Sequence, residues 1–189
     1  MVQRVRLSAV AVLPLLICSA ASAADIAQFS LAGVRLSMSP DEARRAVSDY
    51  LQVPASALQS APPVDDPLLE RPLSKSISYS SADLQLTIGL AVAHPEDKSS
   101  ALVVGMVAYK PLRTEDAARL KDVAVETYGE PSDRSMASAG ALLWCSHPQA
   151  GRCDWNQPGL AYSQADGLLL DDPRLLTAYH EAFGRKLAR

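Results

Sequence analysis

The stretch DLQLTIGLAVAHPEDKSSALVVGMVAY, residues 83–109, decides the fold of this chain. Its first part alternates, so that one face of a strand collects only apolar side chains: Leu84, Leu86, Ile88, Leu90 and Val92. Its last part, residues 101–109, is apolar on both faces, which is typical of a central strand covered on two sides. The polar segment AHPEDKSS between them predicts a hairpin loop. We therefore expect an antiparallel pair of strands in the middle of a sheet.

Outward from this pair, the pattern predicts further strands and three helices. Residues 74–80 alternate serines with larger side chains and predict another strand of the same meander. A first strand is expected within residues 25–37, and later strands at about 140–146, 153–163 and 167–171. Helices are predicted to begin at the capping-box sequence Ser39-Pro40-Asp41-Glu42, at Thr114 and at Asp172-Pro173.

The order of these elements predicts an α+β fold, with helices packed on one face of an antiparallel sheet. We expect a single domain over residues 24–189. A helix followed by a three-stranded meander occurs twice, so residues 31–110 and 111–189 could be tandem modules. Five prolines make residues 53–72 a predicted loop, because proline disfavours both helix interiors and central strands: Pro54, Pro62, Pro63, Pro67 and Pro72.

The first 23 residues have the pattern of a secretory signal peptide. Two arginines precede an apolar run that is too short for a membrane anchor, and Ala21-Ser22-Ala23 supplies the small residues of a cleavage site. We expect cleavage after Ala23 and a periplasmic or secreted protein. Cys18 superficially resembles a lipoprotein cysteine, but the bulky Ile17 before it does not fit, so lipidation is not expected.

The charge balance bears on the class of partner. The leader holds two of the 18 basic residues and none of the 21 acidic ones, so the mature chain has 16 basic and 21 acidic residues and a net charge of −5. Nucleic-acid binding needs clustered Lys and Arg, which this chain lacks. No second apolar segment approaches membrane-spanning length, so no anchor is expected after signal cleavage.

The segment WCSHPQAGRCDW, residues 144–155, holds the two cysteines that remain after cleavage. In an oxidising compartment they predict a Cys145–Cys153 disulfide, which the chain-entropy model values at about 2.5 kcal/mol. Cys145, His147 and Cys153 would offer zinc three ligands, but their spacing matches no known zinc pattern, and a redox pair would favour the spacing C-x-x-C. If the two ends pair as strands, Trp155 lies on the face of the disulfide and covers the core.

Catalytic motifs are mostly missing from the sequence. It contains no G-x-S-x-G, S-x-x-K, H-E-x-x-H or Gly-rich phosphate loop. Of the three histidines, His94 and His147 could form an acid–base or metal centre only if they converged with Glu96 or Asp97; we expect His180 to be structural. Asp171-Asp172 is interpreted as a helix cap, and Asp65-Asp66 lacks the spacing of a calcium loop. No metal or cofactor is predicted.

A family resemblance lies in GVRLSMSPDEARRAV, residues 33–47, a strand that leads through a Met-Ser turn into a capped helix. It resembles the opening of small exported α/β modules, the SmpA/OmlA (BamE) outer-membrane assembly lipoproteins and the β-lactamase-inhibitor-like proteins. The repeated helix-plus-meander order and a disulfide between late strands also resemble the inhibitor-like architecture. The resemblance implies binding to another protein without a catalytic centre, and it transfers no binding residue.

The sequence therefore predicts an exported, non-catalytic protein-binding module, such as an envelope assembly factor, an inhibitor or an immunity-type protein. Its partner would be an envelope or secreted protein, contacted through exposed loops at 54–72 and 94–100 and through the turn at 146–152. The alternative is a small hydrolase-like envelope enzyme that uses His94, His147 and nearby carboxylates.

Overall fold

The computed structural model describes residues 25–188 of the chain. The predicted signal peptide and Cys18 lie outside these residues. The described part contains three α-helices: α1 Pro40–Leu51, α2 Thr114–Tyr128 and α3 Pro173–Leu187. It contains nine strands: β1 Gln59–Ser60, β2 Val64–Asp66, β3 Arg71–Leu73, β4 Ser76–Ser80, β5 Leu84–Val92, β6 Leu102–Pro111, β7 Ala141–Cys145, β8 Gly159–Ser163 and β9 Gly167–Asp171. Short 3₁₀ turns lie at Ile26–Gln28, Ala55–Ala57 and Ala137–Ala139.

Seven strands form one antiparallel sheet in the order β1-β4-β5-β6-β9-β8-β7, and β2 and β3 form a separate hairpin. The meander that follows α1 and the meander that follows α2 join where β6 pairs with β9, with Tyr109 opposite Leu168. The predicted α+β class, with an antiparallel sheet and one disulfide, is confirmed. The sequence did not predict that the third strand of each meander makes the join.

The main core lies between one face of this sheet and the first two helices. The strands contribute the alternating apolar side chains that the sequence predicted, and α1 and α2 contribute Ala43, Val47, Leu120 and Ala124. Burial of each large aliphatic side chain stabilises the fold by about 1.5–3 kcal/mol. Ser39 caps α1 in a full capping box, because the Glu42 amide donates to Ser39 Oγ and the Ser39 amide donates to Glu42 Oε2 at 2.8 Å.

The third helix lies on the opposite face, which differs from the expectation of one helix-covered face. Ala91 points away from the main core, and a side chain added at Gly105 would meet both Ala91 and Leu175 of α3. A smaller apolar cluster joins Leu69 and Leu73 of the hairpin to Val92 and includes the half-buried Tyr179 of α3. Helix α3 therefore packs against both the sheet and the β2–β3 hairpin.

Two of the predicted strand segments have other structures. Residues 25–37 form a 3₁₀ turn and a single bridge between Leu31 and Val34, and positive φ angles at Ala32 and Ser37 interrupt any longer strand. The segment instead buries its apolar side chains in the core and is held to β6 by a bond from the Ser37 amide to the Val104 carbonyl at 2.8 Å. The strand predicted over 153–163 is confined to Gly159–Ser163.

Residues 53–72 were predicted as a loop that a short helix around Ala55–Gln59 could open; the 3₁₀ turn at Ala55–Ala57 lies in that stretch, but the prediction of loop for the rest is wrong where short strands form. Strands β2 and β3 pair there, and β1 adds a short edge to the main sheet. Pro72 is tolerated in β3 because a two-stranded hairpin leaves one side of each strand without ladder bonds. A buried carboxylate, Asp66, gives this hairpin an anchor that hydrophobic patterning does not reveal.

Candidate functional site

A cleft of about 600 Å³ lies at one end of the sheet, where β7 ends, β8 begins and β9 leads into α3. The loop from Ser146 to Pro158 forms one wall, and the start of α3 and the segments before α1 form the others. We call this the disulfide-loop cleft. Its ionisable and polar lining includes Asp25, Ser37, His147, Asp154, Asp172 and Arg174.

A covalent bond and a buried carboxylate fix the wall formed by the loop. The predicted disulfide between Cys145 and Cys153 is present, with the two Cα atoms 5.8 Å apart. Asp133 is buried and accepts from the Cys153 amide at 3.0 Å and from the Ser135 amide at 2.8 Å. Burial alone would raise the pKa of Asp133, but these amide bonds lower it overall. The loop is therefore held at its far cysteine by two independent means.

The rest of the loop is also ordered by local bonds. Gln149 and Arg152 exchange both backbone hydrogen bonds around Ala150 and Gly151, which have positive φ as in type I′ turns. Asp154 Oδ1 then accepts from the Asn156 amide at 2.9 Å. Such side-chain-to-backbone bonds stabilise turns that have no ladder partner.

The two tryptophans that flank this segment differ sharply. Trp144 is fully buried, and its Nε1 donates to the Gly129 carbonyl at 2.8 Å. Trp155 has 67% of its surface exposed, so the prediction that it covers the core is wrong. That prediction assumed that a strand continues back to Trp155, but β8 begins only at Gly159, and a turn residue has no assigned face. Trp155 stands on the loop between Asp154 and Gln157, which both line the cleft.

Carboxylates outnumber cations in the cleft. Arg174 binds Asp172 through two bonds, Nε to Oδ1 at 2.8 Å and Nη2 to Oδ2 at 2.7 Å. Asp172 also caps α3, as predicted, by accepting from the Arg174 amide. Within the described residues, Asp25 and Asp154 bond through Oδ1 to polar groups of their own turns and form no ion pair. Beside the cleft, burial and the neighbouring Asp172 raise the pKa of Asp171.

The structure separates the two histidines of the enzyme alternative. His147 lines the cleft with the start of α3, whereas the loop of His94 is tied to the other end of that helix by the ion pair of Glu96 with Arg185. Asp172 and Arg185 are 13 residues apart along α3, which corresponds to about 20 Å. His180 is exposed on α3 and contacts Tyr179 edge-on. His147 therefore lines one cleft with Asp154 and Asp172, and His94 is not part of that lining.

A second polar centre holds the β2–β3 hairpin against α3. The Asp66 carboxylate is buried and accepts from the Leu68 and Leu69 amides at 2.9 Å and from the Tyr179 hydroxyl at 2.8 Å, and it pairs with Lys75 at 2.7 Å. Burial alone would raise its pKa, but the bonds from Lys75, Leu69, Tyr179 and Leu68 lower it to about 2. We call residues 64–73 the clamped hairpin. Sequence reasoning missed this centre.

Ion pairs also join the clamped hairpin to its neighbours. Glu70 accepts from Lys98 at 2.6 Å and from Lys186 at 2.8 Å, and these bonds lower its pKa to about 2. The Lys75 ammonium also lies 4.6 Å from the centroid of the Tyr179 ring. The exposed Glu70 is thus paired with two cations of the same chain, and the hairpin, the loop at 94–100 and the end of α3 form one connected set.

Two features are absent from residues 25–188. No group of three or more His, Cys, Asp or Glu side chains there could hold a metal ion. None of the helices in this part of the chain combines the length and the apolar character needed to cross a bilayer. The resemblance of residues 33–47 to SmpA-like and inhibitor-like modules remains a prediction. No protein-family model, no curated protein and no solved structure matches this chain.

Proposed function

We propose that this chain is an exported, non-catalytic binding module that holds an envelope or secreted protein at the disulfide-loop cleft. One observation carries the proposal. Trp155 is 67% exposed on a loop fixed by the Cys145–Cys153 disulfide and by Asp133, beside a cleft of about 600 Å³.

An exposed tryptophan on a fixed loop has the properties of a binding anchor. A tryptophan side chain can bury on the order of 150–250 Å² at an interface, and tryptophan is enriched among the residues that dominate binding energy. The disulfide and the buried carboxylate order the loop before binding, so less conformational entropy is lost when the partner docks. In the folded chain alone, Trp155 has no core to cover.

The same disulfide supports the proposed export. Disulfides persist in exported proteins and are rare in the reducing cytosol, which agrees with the secretory leader predicted over residues 1–23. An assembly factor, an inhibitor and an immunity-type protein would each use a fixed recognition surface of this kind. The resemblance of residues 33–47 to SmpA-like and inhibitor-like modules points to the same class of function.

One observation favours a second candidate, a small envelope hydrolase. His147 lines the same cleft as Asp154 and Asp172, and a histidine close to a carboxylate can act as a general base. Asp172, however, is already bound by Arg174, and Asp154 bonds to its own turn. The pair His147→Ala and Trp155→Ala separates the two proposals: a hydrolase loses turnover in the first variant, whereas a binding module loses more affinity in the second than in the first.

Site-specific crosslinking in cells tests the proposed function. A photo-reactive phenylalanine is placed at Trp155 and, as a matched control, at Leu176, which is 59% exposed on α3. We expect a defined adduct from position 155 and none from position 176, and we expect the purified partner to bind wild type and lose affinity for Trp155→Ala. Equal adducts at both positions, or unchanged affinity of Trp155→Ala, would contradict the proposal.

A further inference from the structure

We propose that Ser132 and Asp133 form a template that holds Cys145 and Cys153 together before their disulfide closes. The reduced chain then already carries its two thiols side by side, and a small-molecule disulfide oxidises them as a pair. Three features carry this inference: the bonds from the template to each cysteine, the anchoring of the template to the main fold, and the chemistry of the Asp133 carboxylate. The inference needs no partner protein and does not depend on the proposed function.

The bonds of the template reach the backbone of both cysteines. Ser132 Oγ accepts from the Cys145 amide at 3.3 Å and donates to the Cys145 carbonyl at 3.1 Å. The buried Asp133 carboxylate accepts from the Cys153 amide at 3.0 Å. Two residues that are adjacent in the chain therefore each hold one end of the loop. These bonds join backbone groups to oxygen atoms, so none of them requires the disulfide to be closed.

The template is fixed to the main fold independently of the loop that it holds. Asp133 exchanges both backbone hydrogen bonds with Leu143 of β7, at 3.0 and 3.2 Å. The Trp144 indole donates to the Gly129 carbonyl at 2.8 Å, where the chain leaves α2. Pro131, which lies between Gly129 and Asp133 in the chain, is buried. The position of the template therefore follows from its pairing with the edge of the sheet.

A carboxylate at position 133 suits this task because it has two acceptor oxygens. Oδ1 accepts from the Ser135 amide at 2.8 Å, and Oδ2 accepts from the Cys153 amide. An asparagine side chain has only one carbonyl oxygen and cannot accept from both amides. Hydrogen bonds to an ionised acceptor are also stronger than neutral ones. Asp133 can thus keep Cys153 in place when no covalent bond holds it.

Closure of the bond is a thiol–disulfide exchange, for which glutathione disulfide is a sufficient oxidant. Cys153 is half-buried and Cys145 is buried, so the Cys153 thiolate attacks first and expels one glutathione thiolate. The Cys145 thiolate then attacks the Cys153 sulfur of the mixed disulfide and expels the second. The chain loses two electrons and two protons, which convert glutathione disulfide to two molecules of glutathione.

Equilibration of the purified exported chain with mixtures of glutathione and glutathione disulfide tests this inference. Free thiols at Cys145 and Cys153 are trapped by alkylation and counted by peptide mass, which gives the effective concentration of the thiol pair. Asp133→Asn should lower this concentration about tenfold, because a hydrogen bond to a charged group is lost. A tenfold change corresponds to a reduction potential about 30 mV higher. Ser132→Ala should lower it about threefold, because neutral hydrogen bonds are weaker.

Two control variants separate position from charge and from the loss of a hydroxyl. Asp154→Asn removes a charge next to Cys153, but its carboxylate bonds to Asn156 and not to a cysteine. Ser163→Ala removes a hydroxyl that bonds Asp166, at the other end of β8. Both controls should behave as wild type does. An equal fall in Asp154→Asn, or unchanged values in both Asp133→Asn and Ser132→Ala, would overturn the inference.

Amide hydrogen exchange in the reduced wild-type chain decides the question even if Asp133→Asn does not fold. The Cys153 amide should stay protected after reduction, because Asp133 still binds it. The amide of Gly151, an exposed residue of the same loop, gives the rate of a residue that the template does not hold. If reduction raised exchange at Cys153 to the rate at Gly151, the disulfide alone would hold the loop and the inference would be wrong.

Discussion

The disulfide-loop cleft and the clamped hairpin solve the same structural problem by different means. Each contains a segment outside the main sheet that is held in place by contacts other than the ladder of that sheet. The clamped hairpin uses charge, because its buried Asp66 and its exposed Glu70 are both bound by cations of the same chain. The cleft uses a covalent bond between Cys145 and Cys153. The covalent bond uses no surface charge, and Asp154, next to Cys153, forms no ion pair within residues 25–188.

This difference narrows the contact surface that the sequence suggested. Three loops were candidates, at 54–72, 94–100 and 146–152. In the first two, several of the carboxylates are already paired: Asp66 with Lys75, Glu70 with Lys98 and Lys186, and Glu96 with Arg185. The third loop forms a wall of the cleft that Asp154 and Asp25 also line. A surface whose charges are paired internally has less to offer a partner than one whose charges are not.

The largest effect should come from removal of the disulfide. Closing a loop of this length stabilises a protein by about 2.5 kcal/mol in the chain-entropy model, so the double variant Cys145→Ser, Cys153→Ser should lose about that free energy of unfolding. Urea denaturation of the variant, with reduced wild type as a control, measures the loss. A loss below about 0.5 kcal/mol would contradict the chain-entropy value.

The next effect tests the clamped hairpin through its dependence on pH. The pKa of Asp66 is about 2 in the folded chain against 3.8 for the free carboxyl. A carboxyl whose pKa is lowered on folding stabilises the fold at pH values above its unfolded pKa. This contribution is lost as the pH falls from about 4 towards 2. Its size is about 2 kcal/mol at neutral pH. Wild type should therefore exceed Asp66→Asn in unfolding free energy at pH 6, and the gap should narrow strongly by pH 2.5.

The control for this experiment has to separate Asp66 from Glu70, whose pKa is also lowered to about 2 by Lys186 and Lys98. Glu70 is present in both wild type and Asp66→Asn, so its titration cancels in their difference. Tyr179→Phe removes one of the bonds to Asp66 and should cost about 1 kcal/mol. If the difference in unfolding free energy between wild type and Asp66→Asn did not change with pH, the Asp66 carboxylate would not be held in its ionised form.

The same comparison explains which features the sequence could predict. The capping box at Ser39, the alternation of β5 and the Cys145–Cys153 pair each depend on residues close together in the chain, and all were predicted. The Asp66 centre depends on Tyr179, 113 residues away, so no local pattern indicates it. The pairing of β6 with β9 likewise joins residues that are far apart in the chain. Trp155 was misassigned because strand alternation was extended across a turn.

The smallest effect on stability, and the sharpest test of the comparison, is expected from Trp155→Ala. A side chain that is 67% exposed removes little apolar area from water on folding, so its loss should change the unfolding free energy by no more than about 0.5 kcal/mol. Urea denaturation beside Leu176→Ala, an exposed control on α3, measures the change. A loss above about 1 kcal/mol would show that Trp155 has a structural role, and its exposure would then no longer support a role in binding. A near-zero change in unfolding free energy, combined with lost affinity for the partner, would mean that the exposed indole serves recognition and does not stabilise the isolated chain.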